Sequence, residues 1–200
     1  MERISFYAAE ISFAAVIILW FIFGGVFIFR KKPESAPDGK RVPKSLFGLI
    51  LQGIGFLPVW AARRQPIFSP FVDGQFTLNI FLQILAVLIA AFSVWMAMSA
   101  VRELGKQWSL EARLTENHKL ITSGVYQIVR HPIYTAMLGM LVSTGIVFSY
   151  WYVLIAAVIV FFIGTKIRTI AEEKLLREAF PEEYKEFSEK IPAFIPFVKI

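Results

Sequence analysis

Apolar residues in this chain fall into long blocks, separated by short polar stretches punctuated by proline and glycine. A hydrocarbon core about 30 Å thick takes roughly 20 helical residues. The first block is uncharged from Ile11 to Phe29 and predicts a span over 6–29, with Glu10 near its outer end. It is longer than the apolar region of a signal peptide, and Gly24-Gly25 is followed by more apolar residues, so it reads as a retained span. Residues 30–44, with Pro33, Pro37, Gly39 and Pro43, predict a polar loop. The second span covers 46–62, where Gly48, Gly53 and Gly55 would allow close helix contact. An irregular connection with Pro66 and Pro70 leads to a third span at 76–101. Residues 102–131 leave the bilayer.

Residues 132–165 contain no charge. As one helix these 34 residues would extend about 51 Å at 1.5 Å per residue, far more than a membrane hides. Two short spans are therefore predicted, broken near Ser149, Tyr150, Trp151 and Tyr152, whose amphipathic rings suit an interface. From Lys166 the last helix continues out of the membrane towards Phe180, and a short tail follows.

The pattern predicts an all-α integral membrane bundle of about five transmembrane helices, with a polar loop on one side and a C-terminal helical tail. Composition agrees: 56% of residues are hydrophobic and only 18% charged, against about 25% charged in soluble domains. If the N-terminus faces outward, 18 of the 21 Lys and Arg lie inside, leaving Arg3, Arg63 and Arg64 outside. That distribution puts the polar loop and tail in the cytosol and explains the net charge of +6 without nucleic acid. With no cysteine, disulfides, thiolate metal sites and a cysteine nucleophile are excluded. The chain divides into three N-terminal spans (1–101), read as scaffold and possible lipid-access wall, and a chemistry-bearing part (102–200). The glycines of the second span would serve packing within the chain or a dimer equally, leaving the oligomeric state open.

Candidate chemistry concentrates in residues 115–134, which hold both histidines, His118 and His131. Two histidines do not make a zinc site by themselves. Pro132 suits the first position of a helix, where a missing N–H costs nothing. Arg130 and His131 then sit at a helix N-terminus, whose amides and partial positive charge favour an anion such as a carboxylate. The plainer account is a basic pair touching lipid headgroups. Tyr126 and Tyr134 flank the pair, and are equally at home as interface anchors. A second constellation follows the fifth span: Arg168 and Glu172 share a helix face, as do Glu173 and Arg177. Here too a plainer account exists, in which they are surface salt bridges of little energetic worth.

The run His118-Lys-Leu120-Ile-Thr-Ser-Gly124-Val-Tyr126-Gln-Ile-Val-Arg130-His131-Pro132-Ile-Tyr134 resembles the H-x-L-V-T-x-G-P-Y-x-x-x-R-H-P-x-Y signature of the isoprenylcysteine carboxyl methyltransferase family, related to the phospholipid methyltransferases. A second block, Arg168, Glu172-Glu173, Phe180 and Tyr184, followed by Ile191-Pro192 and Pro196-Phe197, is similar to that family's arginine, paired glutamates and terminal segment. The resemblance covers roughly residues 100–200. Val125, Ala136, Pro181 and Phe187 depart from the pattern, which bears on the acceptor more than on the cofactor.

The resemblance implies S-adenosyl-L-methionine as methyl donor, with S-adenosyl-L-homocysteine as product, bound from the cytosolic side. It implies that Arg130 and His131 hold the methionyl carboxylate, Glu173 its ammonium, and His118, Leu120 and Tyr126 the adenosine, with Tyr134 lining the pocket. It implies that Arg168 orients an acceptor carboxylate and that Glu172 positions Arg168. The acceptor would be lipophilic and enter from the bilayer; a prenylcysteine, a phospholipid and a small apolar acid or thiol all remain open. The lack of extensions at either end points to a prokaryotic cytoplasmic membrane. Two other readings compete: an NADPH-dependent membrane reductase of the sterol type, and a non-enzymatic membrane protein.

Overall fold

The computed structural model describes residues 2–30, 44–65, 69–110, 112, 114 and 118–196. Most of the predicted loop at 30–44, Pro66 and the end of the tail from Phe197 lie outside the described residues. Within them the chain is α-helical: α1 (Glu2–Ile28), α2 (Lys44–Ala61), α3 (Phe76–Leu104), α4 (Pro132–Phe148), α5 (Trp151–Ala179) and α6 (Pro181–Lys190). α1, α3 and α5 are long and apolar enough to cross a membrane, while α2 and α4 are shorter apolar helices. The chain is an integral membrane protein. Large apolar side chains such as Ile11, Phe21, Leu88 and Ile159 point outward and stay exposed, as lipid-facing residues do.

The break in the uncharged run falls where expected, at Ser149 and Tyr150, with Trp151 and Tyr152 exposed beside it. α3 lies between α1 and α4, α2 pairs with α5, and α4 packs against α5 to join the two groups. Lipid tails are as apolar as a leucine core, so close fit rather than transfer from water holds such helices together. Small residues supply that fit. A Cβ on Gly48 would lie 2.6 Å from the Gly164 carbonyl oxygen, and one on Gly55 would lie 3.1 Å from that of Ala157. Those two glycines therefore serve contact between α2 and α5 within one chain. Gly53 has nothing within 4 Å of a built Cβ and takes no part.

At the α4–α5 turn, Arg64 is buried at 2% exposure and fills the role of a cap. Its Nε donates to the Ser69 carbonyl (3.0 Å), its Nη1 to those of Ile146 (3.1 Å) and Ser149, and its Nη2 to Ile146 (3.1 Å) and Val147 (2.8 Å). The Arg64 backbone N–H takes the Phe148 carbonyl (3.0 Å). The carbonyls left over at a helix C-terminus thus find donors without water.

Candidate active site

Helix α3 anchors the polar loop at its own C-terminal end. Gly105 closes it with φ +54°, a conformation few other residues adopt. The Gln107 side-chain oxygen accepts from the Lys119 N–H (2.5 Å), and Glu103 accepts from the Ser123 hydroxyl (2.7 Å). Gly124 is required by its φ of +57°, and it lets the Glu103 carboxylate close on the loop, where a Cβ would lie 2.6 Å from Oε1. These bonds set Tyr126 into a buried position beneath the loop. From the other side, Arg30 stacks over the Trp108 ring at 3.8 Å.

Pro132 opens α4 at its first position, and His131 is the residue before the helix. The N–H groups of Arg130 and His131 do not stay free for an anion, however. They donate to the carbonyls of Pro192 (2.9 Å) and Ala193 (3.0 Å), so the end of the chain is folded back over this turn. Thr135 Oγ1 donates to the Phe194 carbonyl (2.6 Å), and Arg130 Nη1 to those of Ser188 (2.9 Å) and Ile191 (2.5 Å).

What α4 presents to the interior is a set of side chains, met by α5. Arg130 Nη2 donates to Glu173 Oε1 at 3.0 Å. His131 lies between the two acids, with Nε2 3.2 Å from Glu173 Oε1 and Nδ1 3.5 Å from Glu172 Oε2. Tyr134 donates its hydroxyl proton to Glu172 and accepts from Arg168 Nε (2.7 Å). Arg168 Nη2 donates to the Leu110 carbonyl (2.8 Å) and lies 3.5 Å from Glu172. Burial by itself pulls the His131 pKa down, but hydrogen bonds and charge from Glu172 and Glu173 outweigh it and hold it above the ordinary histidine value. Burial draws the pKa of His118 down, so that ring is neutral at physiological pH.

Only part of the surface-bridge account survives. Arg168 is 4% exposed, so its pairing with Glu172 is interior chemistry. The Arg177–Glu173 bridge at 2.9 Å does reach the surface through Arg177.

The network faces a cavity of about 450 Å³. Of the residues singled out by sequence, His118, Leu120, Tyr126, Arg130, His131, Tyr134, Arg168 and Glu172 line it, while Glu173 stands behind Arg130 and His131. The far wall is apolar and comes from Phe23, Phe27 and Ile28 of α1, Leu49 of α2 and Met137 of α4. Sequence reasoning left several participants without a role. Glu103 and Gln107 position the loop; Tyr184 and Phe187 of α6, named in the sequence only within the resemblance and given no role there, join the lining. Gln52 also lines the cavity, as the one side-chain amide in α2. That last residue had a legible signal, since a buried polar group within a span is costly unless used.

The fold and the site define a class: a membrane-embedded helical bundle with a charged, loop-covered cavity at one end of α4 and α5. The family profile described as phospholipid methyltransferase matches residues 81–183, more than half of the chain. The chain belongs to the phospholipid methyltransferase family. Among curated proteins it is similar to protein-S-isoprenylcysteine O-methyltransferase B of Arabidopsis thaliana, 36% identical over 89 residues, which are 44% of this chain and 45% of that protein. The probable protein-S-isoprenylcysteine O-methyltransferase of Oryza sativa subsp. japonica is 34% identical over 84 residues, 42% of this chain and 44% of the relative. The Homo sapiens protein-S-isoprenylcysteine O-methyltransferase is 27% identical over 120 residues, 59% of this chain and 42% of the relative. The matches thus span less than half the length of these relatives.

Proposed function

We propose that this chain is an integral membrane methyltransferase that uses S-adenosyl-L-methionine to methylate a carboxylate on a lipophilic acceptor, of the kind named by its isoprenylcysteine-methylating relatives. One observation carries the reading. Two segments some forty residues apart, the Arg130–Tyr134 turn and the Arg168–Glu173 turn, converge on one buried network at the end of an apolar cavity.

The residues present suit the donor. Its amino-acid end carries both charges, and the network supplies both: Arg130 and His131 for a carboxylate, Glu173 for an ammonium. Arg130 Nε is buried and has no hydrogen-bond partner among the described residues, the kind of orphan group that calls for a ligand. Leu120, Tyr126 and the neutral His118 offer a mostly apolar wall for the adenosine. When bound, that donor supplies a methyl group already activated on a sulfonium, so transfer requires no proton from the protein.

The protein's part is alignment and exclusion of water. Arg168, held by Tyr134, Leu110 and Glu172, orients the acceptor carboxylate, and Glu172 keeps Arg168 in place. Phe23, Phe27, Leu49 and Met137 receive the apolar part of the acceptor, which reaches the cavity from the bilayer between helices. The inward bias of Lys and Arg puts the site on the cytosolic side.

The test is calorimetric binding of S-adenosyl-L-homocysteine to the purified chain in detergent, beside Glu173→Ala. Saturable binding weakened at least tenfold in the variant is expected, the loss of one charge-assisted contact being about 1.5–3 kcal/mol. No binding by folded wild-type protein would sink the reading, and saturable binding of NADPH instead would replace it with a reductase.

A further inference from the structure

The apolar part of the cavity stops at one level of the bundle. Phe23 of α1, Gln52 of α2 and Met137 of α4 are the lining residues of their helices furthest from the end that holds the charged network. About one turn beyond each, the next layer is filled. Trp20 of α1 meets Phe56 of α2 edge-on, with ring centres 5.4 Å apart, and Phe23 in the same manner at 5.7 Å. Phe56 stands edge-on to Phe161 of α5 at 5.9 Å. Met140 and Leu141 of α4 are fully buried. Trp20 and Phe56 thus bridge α1 and α2 just past the cavity.

Within that layer Trp20 alone is tied by a side-chain hydrogen bond. Its Nε1 donates to Thr144 Oγ1 of α4 at 2.9 Å, and the Thr144 hydroxyl donates in turn to the Met140 carbonyl at 2.6 Å. An indole N–H can only donate, so the direction of the first bond is settled. In a membrane interior an unpaired N–H is costly, because no water replaces the lost partner. Phe23, Phe56 and Met137 have no polar hydrogen to hold them and can yield by changing rotamer, methionine most easily. Trp20 can move only by giving up Thr144. An apolar chain pushed down the cavity therefore displaces the softer side chains first and stops at the indole.

We propose that Trp20, pinned by Thr144, is a specificity-determining residue: it forms the floor of the cavity and sets the greatest length of apolar chain that an acceptor can carry. The inference rests on the methyl-transfer reading of the same cavity, and adds to it a length limit and the residue that imposes it.

S-Alkyl-3-mercaptopropionates from octyl to eicosyl test it, since they share one carboxylate and one thioether and differ only in chain length. Each is titrated calorimetrically against the full chain loaded with S-adenosyl-L-homocysteine, and each is assayed for methyl ester formation with S-adenosyl-L-methionine. Kd is expressed per mole fraction in the detergent micelle, so that uptake by the micelle cancels. Wild-type Kd should fall as methylenes are added, each contributing to burial, and then rise at least tenfold once the chain meets the floor. Trp20→Ala should leave the shorter compounds within about threefold of wild type and bind those beyond the limit at least tenfold more tightly. Thr144→Val keeps the ring but removes its acceptor, and should shift the limit the same way by a smaller factor. A wild-type Kd that improves steadily to eicosyl overturns the proposal without any variant, because the chain then leaves the bundle sideways. A limit unchanged in Trp20→Ala, or an equal loss at every length, overturns it as well. Because Kd is read without turnover, the two readings fail separately. A length limit in Kd with no ester formed leaves the floor standing and removes methyl transfer, whereas ester formed equally well at every length removes the floor and leaves methyl transfer.

Discussion

Two buried arginines, one at each end of the bundle, use the same fork of donors in opposite ways. Arg64 spends all three guanidinium nitrogens on carbonyls at the C-terminus of α4 and on Ser69. Arg168 places Nε on Tyr134 and Nη2 on Leu110 and Glu172, and leaves Nη1 without a partner among the described residues. A saturated fork is a structural clamp, since nothing is left to offer a ligand. An unsaturated one beside a carboxylate, a tyrosine and a cavity is a reason to look for chemistry. Burial alone does not separate them, at 2% and 4% exposure. The count of satisfied nitrogens does.

Substitution should sharpen that contrast. Arg64→Met strips the donors from three buried helix-end carbonyls and should lower stability by about 3 kcal/mol or more, read as thermal unfolding in detergent. Arg168→Lys keeps a charge but not the fork. It should lower stability by only about 1 kcal/mol while reducing ester formation at least tenfold. Arg64→Met that unfolds no earlier than Arg168→Lys would erase the distinction.

A smaller effect divides the glycines of α2. Gly48→Ala must push α2 off α5, because the nearest atom to the new Cβ is a backbone oxygen at 2.6 Å, and should cost about 1–3 kcal/mol. Gly53→Ala meets open space and should be neutral or slightly stabilising. Equal unfolding temperatures for the two variants would show that the seam does not depend on this contact.

The smallest effect is pH-dependent. His131 has its pKa raised in the folded protein, so its contribution is complete below the ordinary histidine pKa of about 6.5. It is lost as pH climbs through the raised folded value. The stability deficit of His131→Phe relative to wild type should therefore be greatest in mildly acidic buffer and shrink towards alkaline pH. A deficit that grows with pH would mean that the imidazole between Glu172 and Glu173 is neutral.

Much of this was legible in the chain. The 34 uncharged residues from Pro132 could not fit one crossing, and the break falls at Ser149 and Tyr150, where the interfacial aromatics stand. Pro132 announced the start of α4, and the spacing of Arg168 and Glu172 put them on one face of the last long helix, though not that this face meets the start of α4. The fate of the residues just ahead of α4 was not legible. That helix end was expected to offer amide donors to an anion, and the Arg130 and His131 N–H groups beside it donate instead to the carbonyls of Pro192 and Ala193. Nothing local in residues 190–194 indicates where a tail of that length returns.

Sequence by itself determined the membrane class, the number and approximate limits of the apolar helices, and which polar residues stand near a membrane boundary. Those are consequences of bilayer thickness and of the absence of hydrogen-bonding partners in lipid, which act on each segment separately. Only the tertiary structure decided that Gly48 and Gly55 meet α5 while Gly53 does not, that Arg64 is a cap, and that α1 and α2 wall the cavity. It also decided which buried side-chain groups lack a partner among the described residues, Arg168 Nη1 being one. These depend on which faces meet across distant parts of the chain, and hydrogen-bond satisfaction is a property of the meeting rather than of either segment.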